Sequence, residues 1–534
     1  MRLLSLVDAG GLGQRFFADR VHLCRLAFRQ EGSGARCSLL EKPMTRIEMN
    51  PSQKPRLKLY NSLTRALETF EPSGPGPVGI YSCGPTVYAR QHLGNMRPYV
   101  FADLLRRTLV SAGYAVRHVI NITDVGHLTS DADDGADKVE LAAARAHTPA
   151  QAITEHFTSL FQADLQRLGV LAPDVWAKAS EHVPQQIAMI EELEARGFVY
   201  RTRDGLYFDT SRAPHYGELS GLRASAAHSR VGEHAEKRNA ADFALWKFSP
   251  ESGPKRQLEW PSPWGTGFPG WHIECSAMAS HYLGAQFAIH TGGIDHVAVH
   301  HTNEIAQAEH ALGVRPWVQY WMHGAWLTME GAKIAKSAGL APNLDDLSAI
   351  EIEPATFRYY LMTAHYRSAL DLSLEALRAA DTALERLSQF VRQNLPRDAS
   401  SNATLHGNSA HRAWREQFYA ALYDDLDAPR ALAVLWCILA DLSLAASERA
   451  ALLTELGGVL GLVWKPERTA RLADPTALRL LDEREQARRA RDFSRADALR
   501  AELAARGFAV EDGPTGPLLV RAHNPRARSA RSSP

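Results

Sequence analysis

Apolar and polar positions first fall into a regular order at Val78. Val78-Gly-Ile-Tyr-Ser-Cys83 is a short β-rich run, and the stretch 99–112 carries apolar residues at helical spacing, closed by Gly113. Ala115-Val-Arg-His-Val-Ile120 reads as a second strand, so the pattern predicts a βαβ unit with ligand-binding residues at the carboxyl end of its first strand. From 173 to 263 the period is lost among Trp, Pro and Gly residues, as expected of an insertion. A second α/β stretch follows, with a strand over 287–290, a loop over 291–296 and a helix over 301–312.

After about Asp371 the period becomes helical, with amphipathic segments over 412–423 and 430–446 around a polar linker at 400–409. Ser494-Arg-Ala-Asp497 reads as a capping box with Asp in place of Glu or Gln. Ala496, Leu499 and Leu503 then make one apolar stripe that Gly507 ends, and a hairpin is expected over 508–521. The tail over 522–534 is basic and rich in Pro and Ser, and disorder is expected there. The first 54 residues show no sustained period and neither a secretory nor a transit pattern, which predicts a disordered or dispensable extension. No internal repeat is visible.

Composition narrows the class. A chain of 534 residues exceeds one hydrophobic core, so about three to four domains are expected. Lys+Arg and Asp+Glu both total 60, which excludes a polycation but leaves room for a local basic face. The strongest apolar run, over 431–440, stops at Asp441, short of the roughly 18 residues of a membrane span. Five scattered cysteines make no disulfide framework, and a reducing, cytoplasmic setting is expected.

Three constellations could carry chemistry. The first is Cys83-Gly-Pro-Thr-Val-Tyr88 followed by His92-Leu-Gly-Asn95, where a glycine at a helix start lets a phosphate approach exposed amides and the helix dipole. By itself this pattern is weak, since most loop histidines beside a glycine are structural. The second is Lys333-Ile-Ala-Lys-Ser337, two lysines able to clamp a triphosphate, or else a solvated loop. The third pairs Gly270-Trp-His-Ile-Glu-Cys275 with His300-His-Thr-Asn-Glu304, where His300 and Glu304 share one helical face. With thiolates these would make a zinc set, but local spacing does not join Cys83 to Cys275. Buried small thiols and a satisfied core histidine remain the plain alternative. The acidic run from Asp131 to Asp137 lacks the acids of an EF-hand and is expected to be a solvated loop.

In this order, the segments C-G-P-T-V-Y, N-I-T-D, G-W-H-I-E-C-S-A-M, H-T-G-G-I-D-H and H-H-T-N-E-I-A-Q resemble the cysteinyl-tRNA synthetases, over about 57–521. The resemblance implies an α/β Rossmann-type catalytic core over 55–372, with an inserted connective domain over about 173–263 and a signature loop at 333–337. A helical bundle over 373–466 and a small α+β anticodon-binding-like domain over 467–521 would follow. It implies one zinc ion held by Cys83, Cys275, His300 and Glu304, and a cysteine pocket with Thr123, Trp271 and Asp295. His92, Gly94, Asn95, Lys333 and Lys336 would serve ATP and its Mg²⁺. The partners implied are L-cysteine, ATP and tRNA(Cys), with Arg488, Arg489, Arg491 and Arg495 supplying phosphate contacts, and a monomer is expected.

The family's usual H-I-G-H reads His92-Leu-Gly-Asn95 here, and K-M-S-K-S reads Lys333-Ile-Ala-Lys-Ser337. An asparagine amide still donates to phosphate, and both lysines remain. Two rivals stand beside this reading. One is a ligase joining cysteine to an amino sugar, as in mycothiol synthesis, and the other a non-catalytic RNA-binding paralogue.

Overall fold

The computed structural model describes residues 56–72, 74, 76–126, 128, 137–221, 236–249, 256–334, 341–395, 409–465, 475–506, 508–513 and 516–521. The expected extension over 1–54, the linker over 400–408, Gly507, the tail over 522–534, Lys336 and most of the acidic run lie outside the described residues. Asp137, the last acid of that run, is 5% exposed rather than solvated. Its carboxylate caps the helix Lys138–Ala146 by accepting from the Val139 amide at 2.7 Å, and it pairs with Arg256.

The strands β1 (Val78–Ser82), β2 (Val116–Ile122), β3 (Val175–Lys178), β4 (Phe287–Gly293) and β5 (Val318–Gly324) form one sheet in the order β5-β4-β1-β2-β3. Every pairing in it is parallel. β1 and β4 are buried along their whole length, as central strands of a parallel sheet must be. Strand order reverses between them, which opens a crevice at their carboxyl ends, where such sheets bind ligands. Register brings Ser82 beside Thr291, so the chain leaves both strands at one point. Three helices line that crevice: α1 (Leu93–Ser111), α2 (Trp271–Leu283) and α3 (His300–Leu312).

Two expected boundaries shift. Val175–Lys178 belongs to the core sheet, paired with β2, although the sequence pattern assigns it to the insertion. Four residues at a sheet edge, three of them half-buried, are too few to show a period. The inserted part proper contains the helix Val183–Ala195 and a four-stranded antiparallel sheet that ends at Gly267–Pro269, past the expected limit. That sheet hands the chain directly to α2.

Beyond the sheet, the helices Leu374–Asn394, Ser409–Leu422, Ala428–Ala440 and Ala446–Val459 pack together. The expected continuous segment over 430–446 is broken at Asp441, whose carboxylate accepts from the Ser443 amide at 3.0 Å. One hydrophobic cluster runs from Ile80, Leu104 and Ile289 through Phe357 to Leu384, Leu435 and Leu456, so the core does not stop at 372. Arg358 is buried at this junction, where it pairs with Asp103 of α1 and donates to Leu460 O at 2.9 Å.

The C-terminal helices Pro475–Arg489 and Phe493–Ala505 and the hairpin of Phe508–Gly513 with Gly516–Arg521 share a separate small core of Ala477, Leu480, Leu481, Leu499, Leu503, Phe508 and Val510. The N-cap of the second helix is Asp492, which accepts from the Arg495 amide at 3.0 Å, and Ser494 falls inside the first turn. No helix among the described residues is long and apolar enough to cross a membrane.

Candidate active site and metal centre

Past Ser82 the chain turns tightly against β2. The Gly84 amide donates to Asn121 Oδ1 at 2.6 Å, and a Cβ at this position would lie 1.6 Å from the Asn121 carbonyl oxygen. Only glycine permits that approach, and it delivers Cys83 to the crevice. α2 brings Cys275 from the other side, while α3 opens with His300 and presents Glu304 one turn later. Gly292 admits these rings, since a Cβ there would stand 2.6 Å from His301 Cε1.

The ligand atoms of Cys83, Cys275, His300 and Glu304 lie within 4.8 Å of one another, all buried. Cys83 Sγ is 3.9 Å from Cys275 Sγ and 3.6 Å from Glu304 Oε1, and His300 Nε2 is 3.0 Å from Glu304 Oε1. A tetrahedral zinc site with bonds of about 2.0–2.3 Å has edges of about 3.3–3.8 Å. The set therefore fits zinc with small adjustments. His300 keeps its other nitrogen, Nδ1, 2.9 Å from His272 Nδ1, the outer contact that fixes a ligating ring.

Charge favours a cation here. Burial pushes the Cys83 thiol well up, and Cys275 and Glu304 add to the shift. Burial acts the same way on Cys275, but hydrogen bonding to Cys83 and to the charged His300 outweighs it and brings this thiol down to about 6. Glu304 is held well below the usual carboxylate range, against burial, by His290 and His300. His300 is pushed up to about 10 against burial, chiefly by Glu304.

A ring of histidines around this cluster carries no role in the sequence reading. His290 Nε2 lies 2.9 Å from Glu304 Oε2 and His301 Nε2 lies 3.3 Å from Cys83 Sγ, so Cys83, His290, His301 and Glu304 make a second group of ligand size. Cys83 and Glu304 belong to both groups, which limits the site to one ion. Burial lowers His296 to about 4 and His323 to about 3, and pushes His301 well down, so these imidazoles are neutral at physiological pH. The motifs H-T-G-G-I-D-H and H-H-T-N-E contain most of them, but only the fold shows that they converge.

The two nucleotide signatures also meet. His92 stands at the N-cap of α1, and a Cβ on Gly94 would lie 3.1 Å from the His92 ring and 3.5 Å from Ile334. The Leu93 amide donates to Pro342 O at 2.8 Å, on the far side of the second signature. Asn95 Nδ2 donates to Gln91 Oε1 at 2.5 Å. Lys333 Nζ is 3.0 Å from Asp295 Oδ2 and sits above the Trp326 ring at 5.2 Å. The Trp271 ring is 4.3 Å from that of His300, beside the metal cluster. Thr123 is less available than expected, because its hydroxyl donates to Glu274 Oε2 at 2.8 Å and accepts from Asn121 at 3.2 Å.

Residues 69–382 match the family model described as the catalytic domain of tRNA synthetases class I (C), and residues 472–516 match the cysteinyl-tRNA ligase anticodon binding domain. The cysteine–tRNA ligase 1 of Burkholderia lata is 47% identical over 466 residues, covering 87% of this chain and 96% of its own. The chain belongs to the cysteine–tRNA ligase family. The cysteine–tRNA ligase of Thermus thermophilus is 42% identical over 482 residues, covering 86% of this chain and 98% of its own. Two solved structures share the fold. The LeuRS–tRNA–LeuAMS complex of Agrobacterium radiobacter gives a TM-score of 0.53 at 12% identity, covering 74% of this chain and 84% of its own. The Mycobacterium tuberculosis methionyl-tRNA synthetase gives 0.50 at 16%, covering 72% and 89%. As a cysteine–tRNA ligase the chain is a class I aminoacyl-tRNA synthetase, and the match to the anticodon binding domain disfavours both the amino-sugar ligase and the non-catalytic paralogue.

Proposed function

We propose that this protein activates L-cysteine with ATP and transfers the cysteinyl group to tRNA(Cys), with one zinc ion held by Cys83, Cys275, His300 and Glu304. The observation that carries the reading is the convergence of those four donors at the strand-order switch. When bound there, zinc supplies a Lewis-acidic anchor for the substrate sulfur as thiolate, a contact that a serine hydroxyl does not match. A site built around such a contact rejects a near-isostere by about 10⁴–10⁵.

The remaining work falls to the chain's own side chains. The Asp295 carboxylate, half exposed at the mouth, accepts the substrate ammonium, and the Trp271 ring walls the pocket beside His300. Thr123 lines the floor and steadies Glu274. His92, Gly94 and Asn95, at the amino end of α1, receive the phosphates of Mg²⁺-ATP, where amides and helix dipole favour anions. An oxygen of the cysteine carboxylate bonds to the α-phosphorus while the bond to the bridging oxygen breaks, and pyrophosphate leaves. Lys333 and Lys336 neutralise the charge that builds on that leaving group. The terminal ribose hydroxyl of the tRNA then forms the ester, its proton is lost to solvent, and AMP departs.

Arg488, Arg489, Arg491 and Arg495 are exposed on the C-terminal helices and suit RNA phosphates. We place the enzyme in the cytoplasm as a monomer, in keeping with its free cysteines. The test is cysteine-dependent ATP–pyrophosphate exchange, followed by charging of tRNA(Cys) with glucosaminyl-inositol offered in parallel. Exchange with tRNA charging supports the reading, and transfer to the sugar alone, or no exchange, overturns it.

A further inference from the structure

Arg97 lies in the second turn of α1, five residues after His92, and is 3% exposed. Its bonds run to main-chain carbonyls rather than to an acid. Nη1 donates to Ala325 O at 2.9 Å and to Trp326 O at 2.5 Å, while Nη2 donates to His365 O at 3.2 Å and to Ser368 O at 2.5 Å. Burial lowers this guanidinium to about 10, which leaves it charged at neutral pH. A buried cation without a carboxylate is costly, so the fold keeps it for geometry rather than for net stability. Only a planar fork reaches four carbonyls on two chain segments at once.

Those segments root the second nucleotide signature. Ala325 and Trp326 run directly into the strand Leu327–Met329, which pairs with Ala332–Lys333 so that Thr328 faces Lys333. The same strand pairs on its other edge with Leu370–Asp371, just beyond Ser368. The Trp326 side chain is 44% exposed and carries Lys333 Nζ above its ring at 5.2 Å. A rigid connection thus runs from α1, which begins beside His92, through Arg97 and Trp326 to Lys333.

We propose that Arg97, acting through Trp326, is a positioning residue for ATP: it sets the place of Lys333 relative to the His92 end of α1. Neither Arg97 nor Trp326 touches the metal cluster, so cysteine recognition is independent of them. The inference rests on reading Lys333 as a nucleotide contact.

The test is steady-state ATP–pyrophosphate exchange on the full-length enzyme with Arg97→Lys and with Trp326→Ala, the second at an exposed ring whose loss the fold tolerates. Displacement of a clamp by about 1 Å costs up to about 10²-fold, so KM for ATP is expected to rise about tenfold with a fall in kcat. KM for cysteine and the visible spectrum of the cobalt-substituted enzyme should stay at wild-type values. Guanidinium added to Arg97→Ala should restore part of the ATP affinity. A merely structural arginine would instead lower the active fraction and leave both KM values unchanged. Wild-type KM for ATP in Trp326→Ala, or in folded Arg97→Lys, overturns the inference. Absence of cysteine-dependent exchange in the wild type would instead remove the functional reading beneath it.

Discussion

At the scale of single residues, the metal cluster makes the sharpest predictions. Cys275→Ala and Cys83→Ala should each lose stoichiometric zinc, measured by elemental analysis, and cysteine activation with it. His301→Ala should keep about one zinc per chain, because the pair of thiolates belongs to the other group. The reverse pattern would assign the ion to Cys83, His290, His301 and Glu304. Lys336→Ala should slow ATP–pyrophosphate exchange by about 10²–10³, the usual cost of one preorganised donor, with little change in KM for cysteine. Near-normal exchange would make the loop a surface feature. The candidate ligands could be named from motif order, but their meeting could not be derived from spacing, since Cys83 and Cys275 stand 192 residues apart. The engagement of Thr123 by Glu274 was also beyond the pattern, because hydrogen-bond saturation depends on partners distant in sequence.

At the scale of elements, long periodic segments were legible and short or strained ones were not. The helix expected over 301–312 and the stripe Ala496, Leu499 and Leu503 stand in the structure, the stripe fully buried. β4 runs on through Gly292 and Gly293, which have low strand propensity, because pairing to His323 and Gly324 holds them in line. β3 was hidden by its brevity. The C-terminal helices show one more feature that the pattern did not mark. Phe493 is 62% exposed at the first turn of its helix, next to Arg491 and Arg495, where an unpaired RNA base can stack on the ring. Phe493→Ala should weaken tRNA binding by about 1–3 kcal/mol, seen as a higher KM for tRNA in aminoacylation, and leave exchange unaltered. Unchanged KM for tRNA would make the exposed ring incidental.

At the scale of the whole molecule, the sequence pointed to the right order of parts but not to how they are joined. The Rossmann half and the helices after 372 share one hydrophobic cluster, because the apolar stripe of Leu374–Asn394 faces the same interior as Phe357 and Tyr360. Hydrophobic period reports which side of a helix is buried and is silent on what buries it. A protein beginning at Met49 should fold and charge tRNA normally, since the residues before it offer no core-building period. A large loss of charging would show that the extension takes part.

The separate small core over 477–510 has a thermal consequence. A unit of that size buries too little apolar surface for much independent stability. In a calorimetric scan it should absorb heat first, as a minor endotherm below the main one, where sheet and bundle melt together. A ligand that binds only the folded form raises the melting temperature of the part it touches. Adding tRNA(Cys) should therefore carry the minor peak upward towards the major one, so that heat flow alone reports where the RNA is held.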